Sequence, residues 1–88
     1  MDVSFKTGFL RDIKKVKDKK LLKKVEDAIE EIEMAENIKD IRNLKKLEGY
    51  EEYYRLRVGE YRIGLIMVKG HIYLIRFLHR KDLYRKFH

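Results

Sequence analysis

Three arginines stand close together in the stretch YYRLRVGEYRIG, which begins at residue 53. They are Arg55, Arg57 and Arg62. An arginine side chain ends in a planar guanidinium group, which suits bidentate binding of phosphate oxygens. The residue type and the spacing therefore point to a site that holds a strongly negative group, such as the backbone of a nucleic acid.

The C-terminal stretch FLHRKDLYRKFH adds groups that can bind phosphate or exchange a proton. His79 carries an imidazole, which can accept or donate a proton, and Tyr84 carries a phenol. Arg80 and Lys81 add two further cations. If a helix begins near Lys81, the side chains of Lys81 and Tyr84 lie on one face of it. We expect this stretch to add to the site that the three arginines begin.

The elements that must position these residues can be predicted from hydrophobic periodicity. Thr7 and Asp18 are suitable N-caps for two helices with apolar residues at helical spacing. Residues 37–52 carry weaker signals and are predicted to connect the helices to the sheet. The predicted strands are 2–6, 53–58, 61–68 and 71–79, followed by a short helix or tail. The order β-α-α-β-β-β(-α) predicts an α+β fold, with a helical hairpin packed on one face of a small, mainly antiparallel sheet.

The segments VGEY and VKGH fit two-residue hairpin loops and therefore set the register of the last three strands. The first loop places Arg57 directly opposite Arg62, and Arg55 opposite Gly64. The second places Phe77 opposite Arg62. Because side chains alternate along a strand, one face of the sheet is predicted to be apolar and to receive the helices. The other, which we call the arginine face, is predicted to carry Tyr53, Arg55, Arg57, Arg62, Gly64, Phe77 and His79.

The predicted arginine face costs free energy of folding, because like charges directly opposite each other destabilise a sheet. This favours a ligand-binding surface over a solvated outer face whose arginines serve solubility, which is the alternative. Gly64 leaves room beside Arg55, while Tyr53 and Phe77 can stack on a base. Arg76 is the exception on the apolar face, and we expect it to pair with a helix glutamate.

Composition narrows the class of protein. The 88 residues fit one domain, 1–88, and the chain contains no cysteine, so a cytoplasmic location is expected. No long apolar run is present, which argues against membrane insertion.

The net charge is +7, and residues 42–88 account for it with twelve Lys/Arg against five Asp/Glu. This segregation indicates a surface for a polyanion. No dense Asp, Glu or His cluster has metal-ligand spacing, so we expect no metal and no cofactor.

The segments LEGYEEYYRLRVGEYRIGLI and HRKDLYR resemble the RelE family of toxins from type II toxin–antitoxin systems, within the RelE/ParE superfamily. The resemblance covers nearly the whole chain, including the predicted element order. Members of the RelE branch enter the ribosomal A site and cut the mRNA there, and an antitoxin encoded beside the toxin blocks the site. The resemblance implies a metal-independent endoribonuclease whose partners are a ribosome with mRNA in the A site and a RelB-like antitoxin.

The resemblance also assigns residues. Two basic positions of the family match Arg55 and Arg57, and the arginine after the hairpin loop matches Arg62. The arginine after the last strand matches Arg80, and the C-terminal tyrosine matches Tyr84. In metal-free RNA cleavage the 2′-hydroxyl attacks the adjacent phosphate, which requires a base, an acid and charge stabilisation. The expected catalytic residues are Arg57, Arg62, Arg80 and Tyr84, and the expected RNA-binding residues are Arg55, Lys81, His79, Tyr53 and Phe77.

One departure from the family leaves the mechanism open. The first two basic positions are often lysine in the family, whereas this chain has arginine, which effectively cannot exchange a proton. Proton transfer then falls to Tyr84, His79 or Lys81, although His79 fits equally well as a partner of Glu60. Two alternatives remain: a ParE-like toxin that poisons DNA gyrase, and a binding module for RNA or antitoxin whose catalysis is weak.

Overall fold

The structure is a computed structural model that describes residues 1–49 and 52–83. Within those residues, two helices cover one face of a five-stranded sheet, so the predicted α+β fold is confirmed. The strands are β1 (Asp2–Phe5), β2 (Leu44–Lys46), β3 (Tyr53–Val58), β4 (Tyr61–Val68) and β5 (His71–His79); the helices are α1 (Thr7–Lys14) and α2 (Lys19–Met34). The strand order is β1-β5-β4-β3-β2, with β1 parallel to β5 and every other pair antiparallel.

The two helices begin in different ways. Asp18 caps α2, as predicted, because its carboxylate accepts hydrogen bonds from the backbone N–H groups of Lys20 (2.9 Å) and Leu21 (3.3 Å). The prediction that Thr7 caps α1 is wrong. Lys6 occupies that position without a side-chain cap, and Thr7 is the first helical residue. Packing against β5, not capping, therefore holds the start of α1.

The core lies between the helices and the sheet. Ile63, Leu65, Ile72 and Leu74 point from β4 and β5 toward the helices and are completely buried. Burial of each such side chain contributes about 1.5–3 kcal/mol, before the loss of conformational entropy is counted. In the part of the chain that the structure describes, neither helix is long and apolar enough to span a bilayer.

β2 was not predicted, since residues 37–52 were expected only to connect the helices to the sheet. The structure places a 3₁₀ turn at Ile38–Asp40 and then the three residues of β2, which pair with β3. Three residues are too few to produce a recognisable alternation. The strand is therefore specified by its pairing partner, and the sequence pattern alone could not reveal it.

A β-bulge between β4 and β5 changes the second predicted register. Leu65 pairs with Leu74, as expected, but Gly64 pairs with Arg76, so that Ile75 is an extra residue in β5. Beyond the bulge every residue of β5 is displaced by one position. Leu78, instead of Phe77, then lies opposite Arg62.

Arg76 next to this bulge points toward α1 and forms an ion pair with Asp12, which is 7% exposed. The partner is thus an aspartate, not the glutamate that was expected. Asp12 accepts hydrogen bonds from Arg76 Nε (2.7 Å), from Arg76 Nη2 (3.1 Å) and from the backbone N–H of Phe77 (2.9 Å). Burial alone would raise the pKa of Asp12, but these bonds and the charges of Arg76 and Lys15 outweigh it and hold the pKa below 3.8.

A second apolar cluster lies on the sheet face opposite the helices. Leu47, Leu78 and Leu83 are buried there, and Tyr53 and Ile75 pack against them. Leu78 reaches this face because of the bulge. The cluster attaches the residues after β5 to the sheet, so the face that was predicted to be an open surface is partly covered.

Candidate nucleic-acid interface

The predicted pairing of the arginines is confirmed by the β3–β4 register. Arg57 lies directly opposite Arg62, and Arg55 lies opposite Gly64. The hairpin turns at Gly59, whose φ of 61° lies in the left-handed region that suits glycine. The short loop fixes the register, and the register brings the three arginines together on the arginine face.

β2 adds a cation that the sequence analysis missed. Lys45 pairs with Arg55 across the β2–β3 ladder, and Asn43 precedes the strand. A concavity of about 500 Å³ is lined by Asn43, Leu44, Lys45, Arg55, Arg57 and Arg62. Arg57 Nη2 donates to Asn43 Oδ1 at 3.4 Å, and the Arg57 backbone N–H donates to the Asn43 carbonyl at 3.0 Å. The only signal for Lys45 was that Leu44 and Leu47 flank the pair Lys45 and Lys46.

Arg62 is held at the hairpin by neutral groups. Its Nη1 donates to the carbonyl oxygens of Gly59 (3.0 Å) and Tyr61 (2.8 Å). Burial, followed by repulsion from Arg55, Arg57 and Arg80, lowers the pKa of Arg62; Glu60 opposes this shift. The charges of four arginines are therefore close enough to act on each other. An anion bound among them would relieve the repulsion.

This repulsion predicts that Arg57→Gln will stabilise the free protein by a few tenths to about 1 kcal/mol at low ionic strength. The gain should shrink as salt screens the charges. Urea unfolding of the purified variant would measure it. The matched control is Arg11→Gln, because Arg11 is exposed in the last turn of α1, where a cation is favourable. Equal losses of stability in both variants would contradict the account of the arginine face.

Arg80 directly follows β5 and connects the end of that strand to the β3–β4 loop. Arg80 Nε lies 2.8 Å from Glu60 Oε2, and the Arg80 backbone N–H donates to the Glu60 carbonyl at 2.9 Å. Both side chains of this ion pair are more than half exposed. A phosphate arriving at Arg62 can therefore compete with Glu60 for the Arg80 guanidinium at little energetic cost.

The prediction that Phe77 and His79 lie on the arginine face is wrong, because the bulge turns both toward the helices. Phe77 is 3% exposed and stacks on Tyr61, with ring centroids 5.0 Å apart. His79 makes an edge contact with Tyr61 at 5.4 Å. His79 does not pair with Glu60 as was considered; its Nδ1 accepts the Lys81 backbone N–H at 3.2 Å, while Glu60 pairs with Arg80.

The remaining predicted site residues are distributed as follows. Tyr53 alternates with Arg55 on the arginine face, as expected, but packs partly into the cluster around Leu47. Gly64 is buried, so it does not form the open space that was expected beside Arg55. Lys81 is exposed in the turn after β5. Tyr84 and the helical face it was expected to share with Lys81 lie outside the described residues.

Chemically, the arginine face can bind a phosphate through several guanidinium groups at once. Arg57 and Arg62 approach from neighbouring strands, and Arg80 approaches from the end of β5. Such an array can bind an anion and stabilise additional negative charge that develops on it. Among the described residues, no cluster of His, Asp and Glu side chains suits a metal ion. The fold and this face together define a small α+β protein with an arginine-rich surface on the side of the sheet away from the helices.

Comparison with known proteins identifies the family. The family described as "ParE toxin of type II toxin-antitoxin system, parDE" matches residues 3–84. Toxin RelE3 of Methanocaldococcus jannaschii is 39% identical over 88 residues, which cover 99% of both chains. The crystal structure of the RelB-RelE antitoxin-toxin complex from Methanococcus jannaschii matches with a TM-score of 0.77 and 37% identity, covering 96% of this chain and 98% of the other.

A more distant structure shares the fold. The archaeal RelE-RelB complex from Pyrococcus horikoshii matches with a TM-score of 0.72 at 18% identity, over 90% of this chain and 93% of that chain. The chain belongs to the RelE/ParE family of toxins from type II toxin–antitoxin systems. The resemblance drawn from the arginine-rich segments is confirmed, and the relative from Methanocaldococcus jannaschii, which this chain matches over its full length, is a RelE toxin.

Proposed function

We propose that this protein is a ribosome-dependent endoribonuclease that cuts mRNA in the A site and thereby inhibits translation. The single observation that carries the proposal is the placement of Arg57 directly opposite Arg62 in a concavity on the face away from the helices. This arrangement is unfavourable for the free protein and favourable for a bound phosphate. Membership of the toxin family supplies the biological setting in which such a site cuts RNA.

The arginines have defined tasks in this proposal. The 2′-hydroxyl of one nucleotide attacks the phosphate that follows it, and the bond to the 5′-oxygen of the next nucleotide breaks. The products carry a 2′,3′-cyclic phosphate and a 5′-hydroxyl. Arg57, Arg62 and Arg80 stabilise the extra negative charge on the phosphorane, and Arg55 with Lys45 binds a neighbouring phosphate. These roles of the arginines and Lys45 need no metal ion, and we propose a metal-independent reaction.

Proton transfer is assigned to the C-terminal segment. The attacking hydroxyl must lose a proton, and the leaving 5′-oxygen must gain one. An arginine side chain cannot accept or deliver these protons, because it remains protonated at all relevant pH values. His79 lies on the helix side, which leaves Tyr84 and Lys81 as the proposed proton carriers. Tyr53 is retained as a proposed contact to RNA, and Phe77 is removed because it is buried.

The proposed partners follow from charge and from the relatives. The two archaeal structures are complexes of RelE with RelB. We propose that an acidic, RelB-like antitoxin binds this chain, contributing an amphipathic helix or an added strand, and that its association weakens with salt. The ribosome with mRNA in its A site is the proposed target, and the cytoplasm the proposed location.

A ParE-like action on DNA gyrase is the second candidate, since the matching family carries the ParE description. ParE-like toxins generally lack such a set of phosphate-binding side chains, so the presence here of Arg55, Arg57, Arg62, Arg80 and Tyr84 argues against it. The third candidate function is that of a RelE-like protein that binds RNA or antitoxin without cutting RNA. It is kept because Arg55 and Arg57 occupy two positions that are often lysine in the family.

Parallel assays would separate these candidates. The purified protein would be added to a defined translation system and, separately, to DNA gyrase with supercoiled plasmid. We expect protein synthesis to stop with fragmented mRNA, while gyrase activity stays unchanged. Trapped, cleaved DNA on gyrase would establish the ParE-like action. Arrested translation with intact mRNA would establish binding without cleavage.

A further inference from the structure

Asp12 is a buried carboxylate that the proposed reaction does not use. It lies on α1, on the face of the sheet away from the three arginines. Within the described residues, its carboxylate accepts three hydrogen bonds, and these come from Arg76 and Phe77, the two residues directly after the extra residue Ile75 of the bulge. Asp12 thus binds the irregular part of β5 and holds it against α1.

The backbone of α1 also comes very close to this bulge. A Cβ atom at Gly8 would lie 2.9 Å from Arg76 Cδ and 3.0 Å from the carbonyl oxygen of Ile75. Both distances are shorter than ordinary van der Waals contacts. Gly8 permits the close approach, and Asp12, one turn further along α1, forms the polar bonds. The bulge therefore has two independent contacts with the same helix.

The bulge decides which side of the sheet each later residue faces. A regular strand would place Phe77 opposite Arg62, whereas the extra residue places Leu78 there. Leu78 then joins Leu47 and Leu83 in the cluster on the arginine face. Leu83 is 1% exposed, so the segment that contains Arg80 is fixed at both of its ends.

We infer that Asp12 is a positioning residue for the segment 79–83, acting through the bulge to place Arg80 beside Arg62. The inference rests on the proposed endoribonuclease function and adds a residue that touches neither RNA nor the reacting atoms. Its carboxylate holds the N–H of Phe77 and the side chain of Arg76. Arg80 in turn bonds Glu60 at the hairpin loop that carries Arg62.

The test uses Asp12→Asn in the full-length protein, with cleavage of mRNA on ribosomes as one measurement. We expect kcat to fall by about 10²-fold with KM nearly unchanged, because Arg80 is displaced while the other arginines still bind RNA. In an Arg80→Ala background the same substitution should have almost no further effect on kcat. Val25→Ala on α2, a buried site remote from the bulge, serves as a control for lost stability with normal kcat.

A second measurement does not depend on cleavage. Backbone NMR of Asp12→Asn should show shifted amide signals for residues 77–83 and for the β3–β4 loop, which binds Arg80 through Glu60, and unchanged signals for residues 26–33 of α2. Shifts in 77–83 without any cleavage by the wild-type protein would overturn the proposed function and support the positioning role. Unchanged signals in 77–83, or equal kcat losses in the presence and absence of Arg80, would overturn the positioning role.

Discussion

Arg62→Ala should lower the rate of ribosome-dependent mRNA cleavage by about 10²–10³-fold. Arg62 lies near three other arginines, because repulsion from Arg55, Arg57 and Arg80 contributes to lowering its pKa. Its guanidinium is anchored by the carbonyls of Gly59 and Tyr61, so it is held in place before a phosphate arrives. A group that is already positioned stabilises developing charge without a cost of reorganisation.

The loss should come from the chemical step and not from misfolding. Removing Arg62 relieves a like-charge contact with Arg57, so the free energy of unfolding should be equal to or slightly above that of the wild type. Single-turnover cleavage on programmed ribosomes, with urea unfolding in parallel, would measure both quantities. Arg11→Ala is the control, because Arg11 is an exposed arginine on α1. A tenfold or smaller loss for Arg62→Ala would contradict a catalytic role.

Asp12→Ala should reduce the free energy of unfolding by about 3 kcal/mol, because it leaves Arg76 and the Phe77 N–H without their buried partner. For a domain of this size that corresponds to a fall in Tm of roughly 12–24 °C. Asp18→Ala is the matched control, since Asp18 is an exposed N-cap whose loss costs about 1 kcal/mol. Equal losses in the two variants would mean that the buried pair contributes little.

The same pair predicts a dependence of stability on pH. The pKa of Asp12 lies below 3.8 in the folded protein, so the unfolded chain binds its proton first as the pH falls. The stabilisation is therefore fully present above the unfolded pKa and is lost as the pH falls through the folded pKa. The difference in unfolding free energy between wild type and Asp12→Ala should stay constant near neutrality and shrink below about pH 4. A difference that grows on acidification would contradict the assignment.

The parts of the fold that local chemistry specifies were predicted correctly, apart from the cap of α1, which Thr7 does not provide. The loop at Gly59 admits one short hairpin, so the opposition of Arg57 and Arg62 followed from the turn and the two-residue alternation. The Asp18 cap and the apolar stripe of α2 followed from side-chain types at fixed spacing. Family membership followed from the arginine-rich motif, which spans these same well-specified elements.

The parts that depend on distant contacts were missed. The bulge at Ile75 is stabilised by Asp12, which lies 64 positions before Arg76, and no periodicity in β5 indicates an extra residue. Because the bulge was not predicted, Phe77 and His79 were assigned to the wrong face of the sheet. The structure places both on the helix side and so removes them from the proposed RNA contacts. β2 and Lys45 were missed for a related reason, since three residues form a strand only because β3 provides the partner.

The most direct test of the central claim is to map the ends of mRNA after incubation with the purified protein, with and without ribosomes. The account predicts new ends at A-site codons that require ribosomes, carry a 2′,3′-cyclic phosphate, and disappear with Arg62→Ala but persist with Arg11→Ala. Intact mRNA in every reaction, or ends that are unchanged by Arg62→Ala, would contradict it. In that case the arginine face would be a binding surface and not a catalytic site.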